Sequence, residues 1–403
     1  MLKLIPWERA AELLRSQAFT AKTETVPLEE AQDRVLAKEI RAAFPMPPFD
    51  KSPFDGFAFR AEETPGTLKI RGESAAGCRI LEPLAPGTAM RIFTGAPVPE
   101  GANAVLKAED TVVKDGSVSI PMPVRPDSNI IRIGEEYPSG VPLLKAGVRI
   151  GPAELGILAS QGLASVPVFR KPKVLFLSTG TELSLPGEER GRYGIYNSSF
   201  YSLSAYLRRM GFTVLSGGTV PDDLDLITGK IREGLLGDAD LVITTGGASV
   251  GDYDFAVRAA ETLGLEILFW KVNVKPGGAL MAAKAGGKLV IGLSGNPAAA
   301  IMSLLTVLQP CLRKRTGENT GSEELVLPIK EDMPKFSTAV RMLRGHGTVR
   351  DGIQYFEENA GRGNGQISSF AGCSMIGVVE GGQGPLPAGT NIRVLCLPPD
   401  LCR

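Results

Sequence analysis

The spacing of hydrophobic and polar positions changes character twice along the chain. The N-terminal stretch, from Pro6 through WERAAELLRS, has helical amphipathic spacing, whereas residues 45–140 carry brief alternating runs: TLKIRG, AMRIFTG, AVLKAED and SVSIPMPV. Alternation makes one face of a strand apolar and the other polar, so a small β domain is expected over 45–140. The flanking segments LEEAQDRVLAKEI (28–40) and PAELGILASQG (152–162) both have helix-like spacing. The β domain is therefore expected as an insertion into a helical and small β domain made of residues 1–44 and 141–172.

From 173 to 318 near-continuous apolar runs alternate with helical ones. KVLFLSTG, TVLSGGTV, LVITTGG, LEILFWKVNV and KLVIGLSG read as strands, and SSFYSLSAYLRRMG, DLITGKIREGLL, DFAVRAAETLG and NPAAAIMSLLTVL as helices. Strands that are apolar at nearly every residue are covered on both faces, which predicts a three-layer α/β domain with a parallel-type sheet. Short strands return over 319–403 (ELVLPIKEDM, GIQYFEEN, SMIGVVEGG, NIRVLCLPP), giving a C-terminal β-barrel-like domain. The expected fold class is α/β plus β in a multidomain chain. Leu289–Leu312 is uncharged for 24 residues but is broken by Gly292, Ser294, Gly295, Asn296 and Pro297. Strand, turn and buried helix account for it better than a membrane span.

Composition narrows the function classes. Lys plus Arg and Asp plus Glu both number 44 in 403 residues, so no global field favours nucleic acid or an anionic membrane. Any anion site must be local. The five cysteines (78, 311, 373, 396, 402) form no CxxC pair, which fits reduced thiols in the cytoplasm and excludes a cysteine zinc site. The start of the chain lacks the apolar core and small-residue cleavage site of a secretory signal. With a single histidine, His346 in LRGHGT, histidine metal sites and most catalytic triads are ruled out, and His346 is expected in a loop.

Candidate chemistry lies at the strand ends. LFLSTGTE, VITTGGASVGD and VIGLSGNP each follow a strand with small residues, and ligands of open parallel sheets bind beyond the carboxyl ends of strands. Ser178, Thr179, Gly180, Gly246, Gly247, Ser249, Gly251, Ser294, Gly295, Asn296 and Pro297 are expected to cradle an anion with backbone N–H groups. Neither a Walker A loop nor a GxGxxG fingerprint occurs, and no GxSxG supports a serine nucleophile. Acids crowd the same edge: Glu182, Asp222, Asp223, Asp252 and Asp254. Any one could simply cap a helix, but several around a phosphate-like ligand call for a divalent cation, and Mg2+ with carboxylate and phosphate oxygens fits best. Lys271 and Lys275 in FWKVNVKPGG are expected on one face of a strand, beside phosphate or oxyanion, with Pro276 and Gly277 as substrate-binding residues next to them.

These same residues carry a family resemblance. PPFDKSPFDGFAFR, RIFTGAPVPEGANAV, STGTEL, TTGGASVGDYD, KVNVKPG and GLSGNP occur in the order seen in the MoeA family, the molybdopterin molybdenumtransferases and the matching domain of gephyrin. The resemblance covers nearly the whole chain. It implies four domains, an elongated homodimer, and a cleft between the sheet domain of one subunit and the β domain of the other. It further implies molybdate insertion into adenylylated molybdopterin with release of AMP, assisted by Mg2+, and contact with the molybdopterin adenylyltransferase. In this light Glu182, Asp222 and Asp254 resemble cleft acids and metal ligands, with Asp223 as the alternative to Asp222 and Asp252 as a cap. Lys271 and Lys275 resemble the basic residues of the site, and Asp55 and Thr94 the contribution of the β domain. Arg132 resembles a substrate contact, and Arg344, Ser368 and Ser369 are the candidates of the C-terminal domain.

Two departures stand out: Ser294 replaces the usual loop proline of LPGNP, and Arg132 alone remains of an arginine-rich turn. The alternatives are a tungstate-inserting paralogue, a molybdopterin adenylyltransferase, against which the long β insertion argues, and a gephyrin-like scaffold.

Overall fold

The computed structural model describes residues 2–17, 19, 21–77, 82–246, 255–318, 323–360 and 366–402. The chain forms two compact units: Met1–Ala37, Gly147–Gly151 and Ser165–Arg403 in the first, Lys38–Ala146 and Pro152–Ala164 in the second. The ends of the β region, 38–44 and 141–146, thus belong with it, while residues 1–37 belong with the large sheet.

That sheet has seven strands in the order Leu2–Ile5, Glu266–Val272, Leu280–Ala285, Lys288–Leu293, Leu241–Thr245, Lys173–Thr179, Thr213–Val220. All neighbours pair in parallel except Leu280–Ala285, which is antiparallel to both of its partners. The expected parallel-type sheet is therefore mixed. Leu280–Ala285 escaped the reading of the sequence because LMAAKA is alanine-rich and carries little β-branched signal. Leu2–Ile5, an edge strand of four residues, is too short to show a period.

Both faces of the sheet are covered, as the apolar runs demand. Leu241 and Ile243 face a core with Leu203, Leu207, Ile301 and Leu305, while Val242 faces Ile227, Ile231, Phe255 and Ala256 on the other side. The N-terminal helix Trp7–Ser16 begins after Pro6 and buries Trp7, Ala10 and Leu14, one stripe at spacings of three and four. The uncharged segment resolves into the strand Lys288–Leu293 and the buried helix Pro297–Ser303, which continues through a π-helical turn at Leu304–Leu308 to Gln309–Thr316. Pro310 lies just after the π turn; it has no N–H to continue the regular ladder. Among the described residues no helix is long and apolar enough to cross a membrane.

The helix expected over 28–40 is not there. Leu28–Glu30 is one 3-10 turn, Asp33 takes a positive φ of 61°, and Val35 and Leu36 instead bridge Arg149 and Val168. Burial of Ala31, Val35 and Leu36 through tertiary pairing outweighs their helical spacing.

The C-terminal residues form a sheet ordered Val274–Lys275, Val340–Arg350, Met375–Val379, Asn391–Cys396, Glu323–Pro328, with Ile353–Glu358 on Val340–Arg350. Ile329 bridges Phe356 in parallel, so the sheet curls back towards closure around Phe356, Val379 and Val394. His346 lies inside the strand Val340–Arg350, not in a loop. That strand went unassigned because VRMLRGHGTVR mixes glycines and cations with few apolar positions.

The second unit is built on a six-stranded sheet ordered Ala104–Lys107, Gly56–Phe59, Thr88–Ile92, Gly66–Ser74, Ser117–Ile120, Val112–Lys114. The four runs read as strands in this region all lie within it. Phe57, Phe59, Leu68, Val118 and Ile120 form its core. Gly56 has no alternative: a Cβ there would sit 1.9 Å from the Leu106 carbonyl oxygen of the adjoining strand.

Candidate functional site

Three parallel strands end level with one another, Ser178 opposite Thr245 and Thr245 opposite Leu293. Their loops meet over a cavity of about 340 Å³ lined by Thr179, Gly180, Glu182, Asp222, Thr245, Gly246, Ser294, Gly295 and Asn296, among others. The loops stack backbone on backbone. Gly246 donates its N–H to Leu293 O at 3.2 Å, Thr179 Oγ1 donates to Thr245 O at 3.1 Å, and Gly180 donates to Val220 O at 3.0 Å. Gly246 sits at φ 92°, and a Cβ there would fall 2.3 Å from the Thr179 carbonyl oxygen. Only glycine satisfies both demands.

Helix starts rim this cavity. Asn197 accepts from Phe200 N at 3.1 Å and begins Ser198–Arg209. Asn296 accepts from Ala298 N and Ala299 N at 3.0 and 3.3 Å and begins Pro297–Ser303, with Pro297 in the first turn. The partial positive charge at such ends offsets carboxylates and favours an anionic ligand. Ser294, where the resemblance leads to an expected proline, accepts the Asn296 N–H on its Oγ at 3.2 Å. A proline has no hydroxyl for this contact, so the loop exchanges one restraint for another.

The acids separate by role. Asp223 caps Leu224–Leu236, accepting from Leu226 N at 3.0 Å. Asp222 lines the cavity with Glu182, its N–H held by Thr181 Oγ1 at 3.2 Å. Gly247, Ser249, Gly251, Asp252 and Asp254 lie outside the described residues. Among the described residues no cluster of three or more acidic, histidine or cysteine ligands occurs. Glu182 and Asp222 are the carboxylates this cavity offers, and Mg2+ takes one or two carboxylates and completes its shell with phosphate and water. Ser178 is fully buried, and its hydroxyl has no hydrogen-bond partner among the described residues.

The lysines do not share a regular strand. Lys271 takes a positive φ of 68°, which breaks the alternation, and its Nζ lies 4.4 Å from the centre of the Trp270 ring. Lys275 belongs to the two-residue strand Val274–Lys275 in the C-terminal sheet, directly opposite Arg341. Pro276 and Gly277 are buried behind it, where Ser303 Oγ donates to Gly277 O at 2.9 Å.

Lys275 opens onto a second cavity, of about 220 Å³, whose cations are Lys275, Lys335, Arg341 and Arg344 and whose acid is Glu358. Arg344 is buried, and its Nε donates to Ser369 Oγ at 3.0 Å. Burial pulls both guanidinium groups below their ordinary range, while Glu358 acts in the opposite sense. Arg341 Nε and Nη2 are buried with no hydrogen-bond partner among the described residues. Arg341 as a whole is half-buried, and N–H groups shut off from water are costly unless an acceptor completes them. Lys335 and Arg341 were missed in the sequence; three cations within ten positions, KFSTAVRMLR, were the available signal. Ser368, by contrast, is exposed.

In the second unit Asp55 and Thr94 come together. Asp55 Oδ1 accepts both the N–H and the hydroxyl of Thr94, each at 2.8 Å. Those hydrogen bonds hold the Asp55 carboxyl below the usual carboxylate range. Arg132 is instead engaged by carboxylates, pairing with Asp50 and Asp127, while its N–H donates to Glu135 at 2.9 Å.

Comparison with known proteins shows the family. The family described as MoeA N-terminal region (domain I and II) matches residues 5–162, and that described as probable molybdopterin binding domain matches 175–314. A molybdopterin molybdenumtransferase of Bacillus subtilis is 32% identical over 98% of this chain and 94% of its own length. Another from Staphylococcus aureus is 30% identical over 97% of this chain and 95% of its own. A solved molybdopterin biosynthesis MoeA protein from Pyrococcus horikoshii superposes with a TM-score of 0.85 at 28% identity, covering 98% of this chain and 99% of that one.

Proposed function

Because this chain belongs to the molybdopterin molybdenumtransferase family, we propose that it inserts molybdate into adenylylated molybdopterin and releases AMP, a late step of molybdenum cofactor assembly. The observation that carries the reading is the pairing of two unlike sites in one unit: a glycine-walled cavity with two carboxylates, and a cavity of four cations with one acid.

The division of labour follows from charge. The first cavity suits the nucleotide's diphosphate: Gly180, Gly246 and Gly295 bring backbone close, and the Asn197 and Asn296 helix ends favour the anion. Glu182 and Asp222 would hold Mg2+ there, with Asp254 the third candidate. When bound, the ion would supply charge neutralisation between these carboxylates and the diphosphate. The second cavity suits a small dianion such as molybdate, with Lys275, Arg341 and Arg344 opposing its charge. In this reading the protein acts as a cytoplasmic homodimer, Asp55 and Thr94 of the partner subunit complete the substrate contacts, and the adenylyltransferase supplies its substrate.

The test is AMP release from adenylylated molybdopterin, with and without molybdate and Mg2+. The expected result is release that needs both and is lost in Lys275→Ala. Binding of the nucleotide without molybdate-dependent AMP release, in fresh protein with Mg2+ present, would sink the proposal.

A further inference from the structure

Arg344 does not hold its position alone. Its backbone carbonyl accepts from Asn359 N at 2.8 Å, and its Nε donates to Ser369 Oγ at 3.0 Å. The Ser369 hydroxyl proton is committed to Gln366 O at 2.6 Å, so its lone pair is what Arg344 meets. Phe370, next along, sets its ring 5.9 Å from the guanidinium carbon. The short turn Ile367–Phe370 therefore fixes where the Arg344 guanidinium lies.

Asn359 fastens that turn. Its Nδ2 donates to Ser369 O at 2.8 Å and to Ala371 O at 3.3 Å, on either side of Phe370. With both amide protons directed at carbonyls, its Oδ1 is left to accept. It lies 2.7 Å from His346 Nδ1, which must therefore carry the proton. His346 Nε2 faces the Glu357 carboxylate at 3.8 Å, itself paired with Lys330 Nζ at 2.7 Å. The Nδ1–H donor makes this contact a brace for the Asn359 amide.

We propose that Asn359 and His346 are positioning residues of the cation-lined cavity: His346 orients the Asn359 amide, Asn359 holds the Ser369 turn, and the turn holds Arg344 against the bound oxyanion. The inference rests on reading that cavity as the oxyanion site. Neither residue lines the cavity itself. Their effect passes through the turn.

The experiment is molybdate titration by calorimetry of the full-length, tag-free protein, with thermal melting as a control on folding. Asn359→Asp keeps the shape and the acceptor for His346 but removes both donors. Its molybdate Kd is expected to rise about tenfold, the size of one lost net hydrogen bond. His346→Ala is expected to weaken binding in the same direction, and His346→Gln, which restores a side-chain N–H, to recover part of it. Since the chain has one histidine, its imidazole NMR signal is unambiguous and is expected to shift on saturation with molybdate.

If Lys275→Ala abolishes molybdate binding while Asn359→Asp and His346→Ala bind as wild type does, the brace is wrong and the oxyanion site stands. If Lys275→Ala leaves molybdate binding intact, the cavity is not the oxyanion site and both readings fall.

Discussion

A single carboxylate oxygen of Asp55 accepts both the backbone N–H and the hydroxyl of Thr94, each at 2.8 Å. The two residues are 39 positions apart in sequence, yet this contact makes them one unit. Since the hydrogen bonds lower the Asp55 pKa, the contact stabilises the fold above the unfolded carboxyl pKa. That contribution is lost as pH falls through the lowered folded value. Thr94→Val keeps the N–H and removes the hydroxyl, so the Asp55 pKa is expected to rise part of the way back. Carbon-detected NMR titration of Asp55 checks this; an unchanged value would mean the hydroxyl is not bound in solution.

Gly246 tests the stacked loops. Gly246→Ala forces a Cβ to within 2.3 Å of the Thr179 carbonyl at a φ of 92°. Backbone strain of this kind costs roughly 1–3 kcal/mol before the clash is counted. A lower melting temperature and loss of AMP release are expected together, and a variant as stable and active as wild type would contradict the close approach.

Neighbouring aspartates should respond in opposite ways. Asp223→Ala removes a helix cap and is expected to lower stability by about 1 kcal/mol with turnover largely kept. Asp222→Asn is expected to lower Mg2+-dependent turnover at least tenfold with an unchanged denaturation midpoint. Denaturant curves and AMP-release rates on both variants check the split, and the reverse pattern would exchange the roles.

Arg341 should matter for the oxyanion and not for the nucleotide. Removing a hydrogen-bonding partner of a charged group costs roughly 1.5–3 kcal/mol, so Arg341→Ala, at a half-buried guanidinium with two enclosed nitrogens, is expected to raise the half-saturating molybdate concentration more than tenfold. Nucleotide affinity should stay within a factor of two. A variant with unaltered molybdate dependence would remove Arg341 from the site.

The cysteines give a test independent of catalysis. Burial pushes the Cys373 thiol up to about 11 and raises that of Cys311 as well. The thiolate is the reactive form, and at pH 8 only about one Cys373 in a thousand carries it. Peptide mapping after alkylation is expected to show both residues unlabelled in native protein and labelled once it is unfolded. Rapid native labelling of Cys373 would contradict its burial.

The large sheet was legible because its strands are buried on both faces, so Leu241, Val242 and Ile243 announce themselves without alternation. The glycine loops were legible for the same reason: they follow those strands directly. The 28–40 segment was misread because its apolar spacing suits a helix, while the pairing of Val35 and Leu36 with residues more than a hundred positions away decides the outcome. Lys271 and Lys275 were placed on one strand because a positive φ at a lysine leaves no mark in composition. Arg341 left only the cluster of cations in KFSTAVRMLR as a signal, and its place opposite Lys275 comes from a pairing 66 positions away that the sequence does not mark. Asp222 and Asp223 could be ranked only once the helix began and claimed one of them.

The two-residue strand Val274–Lys275, paired with Val340 and Arg341, has a consequence for how this protein can diverge. One face of the C-terminal sheet has its own core around Phe356, Val379 and Val394 and is freer to drift, while Met342, Ile376, Val378 and Leu395 share the core of the large sheet. The seam is not free. Lys275 comes from the segment between two strands of the large sheet, Glu266–Val272 and Leu280–Ala285, and Arg341 from the C-terminal residues, so a truncation at residue 318 would yield not a minimal enzyme but half a binding site. Descendants that keep the nucleotide cavity and lose the seam would have surrendered the oxyanion.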